Sequence, residues 1–276
     1  MAQAQLRDDI FTGNRAIGRV AFSVAAAPGV SRRERVHEAG SLRVRFPNVE
    51  RQRALDAVIV NTAGGIAGGD RFDIEIAVGA GAEMTVTTAA AEKVYRSLGP
   101  DSDIAVKLDV AAGGTLTWLP QETILFDQAR MRRSIDIVLA ADAQLVFAEA
   151  LVFGRSAMGE TVNDGRIFDR WRVRVGGTLA FAETIRIDGA IAQRLRRRAV
   201  AHDGVAIATV LKLPGGAADV AAVRAAQDRF LGEAGASTWN GLMAARLLAR
   251  DGAALRHDLV AVLKALRIAS PRLWMN

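Results

Sequence analysis

The 276-residue chain contains no cysteine, and its three histidines, His37, His202 and His257, are far apart. The absence of cysteine excludes disulfides, thiolate catalysis and zinc sites with sulfur ligands, and it is typical of cytosolic proteins. None of the histidines has the His-x-x-x-His or Glu-x-x-His spacing of a helical metal site. We therefore expect no tightly bound cofactor and no imidazole-rich metal centre.

Long apolar runs are also missing. No stretch approaches the length of about 18 apolar residues that a membrane-spanning helix needs, and the N-terminal residues do not have the pattern of a signal peptide. Half of the residues are nevertheless hydrophobic, so the chain can bury an extensive core. These features predict a soluble, cytoplasmic protein without a membrane partner.

Aromatic side chains are few, with ten Phe, four Trp and one Tyr, whereas the formal net charge is +6. Arginines cluster at residues 32–35 and 194–198. One interpretation is a basic nucleic-acid-binding β protein, but no aromatic residue alternates with these clusters to stack on bases. The other interpretation, which we favour, is a solvated face or a docking surface for an acidic partner protein.

Signatures of catalysis are missing as well. Ser156 is not part of a G-x-S-x-G nucleophile motif. Glu149 and Glu183 could in principle act as the paired carboxylates of a glycosidase, but sugar sites also need aromatic platforms, which this chain has in small number. We therefore predict that the protein is not an enzyme.

Glycine is concentrated in one segment, residues 61–70, which reads N-T-A-G-G-I-A-G-G-D. Paired glycines permit positive φ and a close approach of the backbone. A phosphate cradle is excluded, because no Lys-Ser/Thr pair follows and the pattern is not G-x-G-x-x-G. Residues 72–78 alternate between apolar and polar, as in a half-buried strand. We predict a tight turn between two strands that carries one functional acid, Asp70.

A strand, a turn of small residues and a second strand recur between residues 72 and 187. The apolar residues near the start of each second strand are 32, 29 and 34 positions apart; they are Met84, Leu116, Leu145 and Leu179. A period near thirty indicates stacked β layers of a solenoid or irregular β-helix. A two-sheet sandwich of hairpins is the alternative architecture.

The alternation within these units predicts the direction of two acids. Glu149 and Glu183 lie four positions beyond the last two phase-matched residues, so each faces the core if the apolar residues of its strand do. Thr88 lies at the equivalent place in an earlier unit. A buried carboxylate must be paired, hydrogen-bonded, hydrated or bound to a metal. The alternatives are a bulge that turns both acids to solvent and ion pairs with arginines such as Arg155 and Arg186.

The last third of the chain has a different pattern. It predicts one strand, two helices and one segment of either type, at residues 206–213, 219–231, 253–268 and 240–248, respectively. We predict a mainly β protein in which residues 1–200 form a β-rich core of repeated strand-turn-strand units. Residues 201–276 are expected to form a strand/helix region that packs on this core and docks a partner.

Four sequence blocks follow one another in this chain. They are the glycine-rich segment, T-T-A-A-A-E-K-V-Y-R-S from Thr87, W-L-P-Q-E-T-I-L-F from Trp118 and F-G-R-S-A-M-G-E from Phe153. In this order they resemble the urease accessory proteins of the D/H type, over roughly residues 20 to 190, and the closing P-R-L-W from Pro271 also fits. The resemblance implies a layered, β-helix-like fold with a few C-terminal helices. It also implies a non-enzymatic role in loading nickel into apo-urease.

The same resemblance implies that Ni²⁺ passes transiently through an internal, water-filled path. Carried over by motif, the residues along this path are Asp70, Glu92, Thr88, Glu149 and Glu183. Two further candidates have a helix cap or a salt bridge as an equal explanation; they are Glu122 and Glu160. Oxygen ligands hold first-row metals weakly, which suits an ion that must leave again.

Partners follow from the resemblance too. They are apo-urease, an F-type urease accessory protein and, through the F-type protein, a G-type GTPase that first holds the metal. Arg272 and Trp274 are expected at the F-type interface; an exposed Trp274 would support this role and a buried one would not. The alternative function is a pure adaptor, in which the buried acids are structural and the GTPase delivers nickel directly.

Overall fold

The structure, a computed structural model, describes residues 14–47 and 53–275. The strands in this part of the chain are β1 (Ile17–Ala27), β2 (Val30–Gly40), β3 (Leu42–Arg45), β4 (Leu55–Asn61), β5 (Arg71–Val78), β6 (Glu83–Thr88), β7 (Glu92–Val94), β8 (Ser102–Val110), β9 (Thr115–Trp118), β10 (Thr123–Leu125), β11 (Arg130–Leu139), β12 (Gln144–Phe153), β13 (Arg166–Val175), β14 (Thr178–Asp188), β15 (Ala206–Leu213), β16 (Glu233–Trp239) and β17 (Leu242–Ala249). The helices are α1 (Ile191–Leu195), α2 (Ala217–Arg224) and α3 (Gly252–Ala265), and short 3-10 turns lie at Ser156–Met158, Gln227–Arg229 and Arg272–Met275.

Two sheets hold these strands. The first sheet has the order β14-β13-β11-β8-β5-β1-β2, and its strands from β13 to β1 are parallel. The second sheet has the order β16-β17-β15-β12-β9-β6-β4-β3, with β4, β6, β9 and β12 parallel. The short strands β7 and β10 continue the second sheet, since β10 pairs with both β7 and β12.

The chain builds these parallel ladders by coiling. From β5 in the first sheet it runs to β6 and β7, returns to the first sheet as β8, and repeats the circuit through β9, β10 and β11. This confirms the mainly β, layered, β-helix-like fold with a small number of helices, one of them near the C-terminus. The phase match is also confirmed for three residues, because Met84 pairs with Leu116 and Leu116 with Leu145.

The predicted phase match is wrong for the fourth residue, Leu179. It lies in β14 of the first sheet, pairs antiparallel with β13 and is 45% exposed. The coil ends there because Gly176 and Gly177, both at positive φ, turn the chain straight back in a hairpin. The last circuit of the coil is already different before this hairpin. Earlier circuits have two short strands in the second sheet, whereas the last has one ten-residue strand, β12, which pairs with both β9 and β10.

Two apolar layers flank the second sheet. The larger lies between the two sheets and receives Leu145, Phe147 and Leu151 from β12. The smaller lies between the opposite face of β12, β15 and β17 and the C-terminal helices, and it receives Ala148 and Val152. Because both faces of β12 are covered, its sequence reads as a nearly continuous apolar run interrupted by one acid, Glu149.

The C-terminal region follows the sequence pattern with one correction. The strand at 206–213 and the helix near 253–268 are confirmed, and residues 242–249 form a strand. The helix predicted at 219–231 is wrong in its second half, because α2 ends at Arg224. Leu231 N and Gly232 N each donate a hydrogen bond of 2.8 Å to the Asp258 carboxylate of α3, which directs the chain away from the helix axis into β16.

The division of the chain at residue 200 stays a prediction, and residues 1–13 lie outside the described part. β15, which follows that boundary, pairs antiparallel with β12 along eight residues, from Leu145↔Leu213 to Val152↔Ala206. Among the described residues, no helix is long and apolar enough to cross a membrane.

Candidate functional site

Glu149 lies inside the protein, between the two sheets, and is 4% exposed. Its inward direction follows the alternation of β12 that the sequence predicts. Its Oε1 accepts a hydrogen bond of 2.8 Å from Trp118 Nε1, and its Oε2 lies 2.7 Å from Arg133 Nη1. Arg133 belongs to β11 of the facing sheet. The expected alternative of an ion pair is therefore present, with Arg133 as the partner instead of Arg155 or Arg186.

Arg133 also holds a second buried acid, Asp169 of β13. Arg133 Nε and Nη2 donate to the two Asp169 oxygens at 3.0 and 2.6 Å, and Trp171 Nε1 donates to Asp169 Oδ1 at 2.8 Å. Arg133, Asp169 and Glu149, which we call the buried ionic cluster, comprise one guanidinium and two carboxylates when ionised. Burial raises the pKa of the Glu149 carboxyl, while Arg133 and the Trp118 hydrogen bond lower it.

Glu183 lies at the edge of the space between the sheets. It pairs with Trp171, two residues after the buried Phe181, and its side chain is 15% exposed. Its direction follows the buried Phe181 and not the exposed Leu179 from which it was also predicted, because the register of β13 and β14 shifts between these two residues. It comes from the first sheet and is not equivalent to Glu149 in a successive layer. Glu183 Oε2 lies 2.9 Å from Arg246 Nη2 of β17.

An open cleft of about 460 Å³ begins at this ion pair. Its lining includes Glu183, Arg246, Glu233 and Thr209. Thr209 pairs with Glu149 on one side and with Arg246 on the other. Paired residues of neighbouring strands share a face of the sheet, so Thr209 lies between the cleft and the buried ionic cluster.

Polar groups also reach the buried ionic cluster from the side of the glycine-rich turn. Arg133 Nη1 lies 3.5 Å from Thr123 Oγ1, and Thr123 pairs with Glu92 in the neighbouring strand β7. Asn61, which precedes the turn, donates to Glu92 Oε1 at 3.1 Å and to Gly65 O at 3.0 Å. Burial raises the pKa of Glu92 to about 6 despite this hydrogen bond.

These residues form a continuous series of neighbours across the protein interior, which we call the polar row. From the glycine-rich turn to the cleft, its members are Asn61, Glu92, Thr123, Arg133, Asp169, Glu149, Thr209, Arg246 and Glu183. The structure thus brings three of the predicted path residues, Glu92, Glu149 and Glu183, into one row.

Asp70 is not a member of the polar row. Its carboxylate is 4% exposed and closes the glycine-rich turn, because Oδ1 accepts from Ala16 N and Oδ2 from Ala67 N, both at 2.8 Å. The predicted turn between strands is confirmed. Gly64 has a φ of 77°, and Tyr95 Oη donates to Gly64 O at 2.8 Å, so the following block packs on the turn.

The remaining candidate residues have partners within the chain. Thr88 Oγ1 donates to Ala90 O at 3.0 Å and accepts from Gln121 N at 2.9 Å. Glu122 forms a bidentate ion pair with Arg256 of α3. Glu160 pairs with Arg155 at 2.8 Å, and this hydrogen bond lowers the pKa of the Glu160 carboxyl. Glu122 and Glu160 therefore each form a salt bridge, which was one of the alternative explanations for them.

The closing segment shows a buried indole. Trp274 is 5% exposed, packs in the layer between the second sheet and the helices, and has the Arg256 guanidinium 5.4 Å from its ring centroid. Its burial does not support the predicted role as an exposed interface anchor. Arg272 is exposed.

The sequence interpretation missed Arg133 and Asp169, and with them four other members of the polar row: Asn61, Thr123, Thr209 and Arg246. A local signal exists for the first two, because each occupies the apolar phase of its strand: Arg133 lies between Met131 and Ile135 in M-R-R-S-I, and Asp169 lies in I-F-D-R-W. Within residues 14–47 and 53–275, no three His, Asp or Glu side chains come together as a ready-made metal site.

Comparison with known proteins identifies the family. The sequence pattern of the family described as UreD urease accessory protein matches residues 16–275. A protein of Rhodopseudomonas palustris strain HaA2 is 59% identical over 268 residues, covering 97% of this chain and 96% of its own length. A protein of Bradyrhizobium diazoefficiens is 52% identical over 275 residues, covering 100% and 99% of the two chains. Both are named urease accessory protein UreD. This chain therefore belongs to the family of UreD urease accessory proteins.

Proposed function

We propose that this protein is a non-enzymatic maturation factor that scaffolds the accessory complex on apo-urease and gives Ni²⁺ a polar route through its interior. Family membership supports the maturation role. The observation that supports the route is the polar row, which reaches from the glycine-rich turn through the space between the sheets to the cleft at Glu183.

The chemistry of the polar row suits transfer better than storage. Its potential ligands are carboxylate, hydroxyl and amide oxygens, which hold first-row divalent metals less firmly than imidazole or thiolate. An ion that must enter and leave needs sites of this kind, spaced along a path. The carboxylates of Glu92, Glu149 and Glu183 are the anionic positions that we assign to the route.

The partners that we propose are apo-urease, an F-type accessory protein and the G-type GTPase that the F-type protein binds. The proposed compartment is the cytoplasm. Exposed Arg272 in the closing segment is a candidate contact with the F-type protein. Trp274 is assigned an indirect role, in which the indole holds this segment in place.

Urease activation in a reconstitution with Ni²⁺ and the full accessory set tests the route. The variants are Glu149→Gln and Glu183→Gln, singly and combined, because glutamine keeps the shape and removes the charge. Glu75→Gln is the matched control, since Glu75 makes a comparable pair, 3.3 Å from Arg19, with a side chain that is 41% exposed. We expect at least a roughly tenfold loss of activation in the double variant and none in the control.

Complex formation is measured on the same samples by size-exclusion chromatography. Lost activation with an intact complex supports the route, whereas lost activation with a broken complex makes the acids structural. Normal activation of the double variant contradicts the route.

A second candidate function is the pure adaptor without a metal role. It is favoured by one observation, that both oxygens of Glu149 and both oxygens of Asp70 are already occupied by donors of the chain. The double variant separates the two functions, because an adaptor with an intact complex keeps its activity. Nucleic-acid binding stays a prediction from the arginine clusters, and a salt titration of binding tests it.

A further inference from the structure

Arg133 lies in the middle of the polar row, and its position conflicts with a simple cation route. The side chain is 6% exposed, and its guanidinium contacts Glu149 and Asp169 at the same time. A cation that entered from the cleft would find the Glu149 carboxylate already paired with the Arg133 guanidinium. The role that we assign to Arg133 rests on the proposed function, because it concerns the affinity of the route for Ni²⁺.

The guanidinium divides its donors unequally between the two acids. Two of its nitrogens, Nε and Nη2, donate to the two oxygens of Asp169, which is the fork geometry that arginine prefers with a carboxylate. The third nitrogen, Nη1, makes one bond of 2.7 Å to Glu149. Asp169 therefore makes the bidentate pair with Arg133, and Glu149 makes a single contact with it.

We propose that Arg133 is a resident cation that prevents Glu149 and Asp169 from trapping Ni²⁺. With Arg133 present, an arriving ion competes for one carboxylate, Glu149, while Asp169 stays bound to the guanidinium. Without Arg133, two carboxylates in a space closed to solvent would face the ion together. Such a pair would bind a divalent cation more firmly than one carboxylate does, because the cation would neutralise buried acids that otherwise have to take up protons. Arg133 thus keeps the binding of Ni²⁺ along the route weak and reversible.

Equilibrium dialysis of the purified full chain against NiCl₂ tests this role. The principal variant is Arg133→Met, which keeps much of the side-chain length and removes the charge. We expect its affinity for Ni²⁺ to rise at least roughly tenfold over the unaltered chain, and its unfolding temperature to rise with added Ni²⁺. Adding Glu149→Gln to this variant should abolish the gain, because it removes one of the two freed carboxylates.

Arg166→Met is the matched control. Arg166 also contacts two acids, Asp101 and Asp188, each at 3.5 Å, but its side chain is 45% exposed and both carboxylates reach solvent. The same change of residue type there should leave Ni²⁺ affinity within about twofold of the unaltered chain. An equal gain in Arg166→Met would show a non-specific effect of lost positive charge and would overturn the proposal.

Arg133→Lys protects the test against a failure of Arg133→Met to fold. Lysine keeps the charge but not the fork that contacts both acids, so we expect at least a roughly threefold gain in Ni²⁺ affinity. If Arg133→Met folds and binds Ni²⁺ no more tightly than the unaltered chain, or if it does not fold and Arg133→Lys binds Ni²⁺ no more tightly, the proposal is wrong. This outcome differs from failure of the route itself, which appears as normal urease activation by the Glu149→Gln, Glu183→Gln protein.

Discussion

Arg256 of α3 forms a bidentate ion pair with Glu122, which is 134 residues earlier in the sequence. The same guanidinium donates to Trp274 O at 3.3 Å and lies over the Trp274 ring. One side chain thus joins the coil of strands, the C-terminal helix and the closing turn. Trp274 is therefore held within the chain, both by Arg256 and by the apolar layer in which its ring packs.

Replacing Arg256 with alanine should destabilise the protein by about 3 kcal/mol, because it leaves the Glu122 carboxylate buried without its partner. Urea unfolding followed by tryptophan fluorescence measures this change. Lys264→Ala, at an exposed position of the same helix, is the control and should stay within about 0.5 kcal/mol of the original stability. Equal effects of the two substitutions would contradict the joining role.

Asp70→Ala should cost about 3 kcal/mol of stability, because two backbone N–H groups, of Ala16 and Ala67, lose a charged acceptor. Denaturant unfolding measures the loss, and Asp73→Ala in the neighbouring strand is the control. Any loss of urease activation by Asp70→Ala is then expected to parallel its loss of folded protein. A stable but inactive Asp70→Ala would instead give Asp70 a direct part in the route.

The pH dependence of stability should reveal Glu92. Its pKa is about 6 in the folded protein, against an ordinary value of 4.5, because burial outweighs the Asn61 hydrogen bond. The folded state holds this proton more firmly, so the free energy of unfolding falls as the pH rises from about 4.5 to 6. Above that window the ionised carboxylate costs the folded state about 2 kcal/mol.

Glu92→Gln removes this titration. The stability of the variant relative to the original chain should therefore increase by about 2 kcal/mol between about pH 4 and pH 7. Glu75→Gln serves as control, and urea unfolding at several pH values is the measurement. Parallel stability curves for the Glu92→Gln and original proteins would refute the assignment.

Gly65 should not tolerate a side chain. A Cβ at this position would overlap the ring of Tyr95, whose hydroxyl holds the glycine-rich turn through Gly64 O. We expect Gly65→Ala to cost about 1–3 kcal/mol, as overpacking does elsewhere. Gly99→Ala is the control, since no atom lies within 4 Å of the place that a methyl group would occupy there. Thermal unfolding compares them, and equal midpoints would contradict the close approach.

The sequence by itself determined the family, the layered β fold and the direction of one central acid, Glu149. The direction of Glu149 follows from alternation, which is a local property of an extended chain and does not depend on what lies opposite. Alternation from Leu179 did not determine the direction of Glu183, because the register of β13 and β14 shifts between Leu179 and Phe181. The period near thirty likewise follows from the length of one circuit of the coil. Met84, Leu116 and Leu145 confirm it because equal circuits place equal positions side by side.

Only the tertiary structure decided which groups those acids meet. Glu149 is bound by Arg133 from the facing sheet, and Glu183 by Arg246, 63 residues later, because the hairpin at Gly176 and Gly177 reverses the coil. The partner of a buried charge is set by how strands from distant parts of the chain close over it. Alternation in the sequence could have predicted that Arg133 is buried. Its two acidic partners can be identified only when both sheets are in place, because an ion pair depends on distance in space and not on separation in sequence.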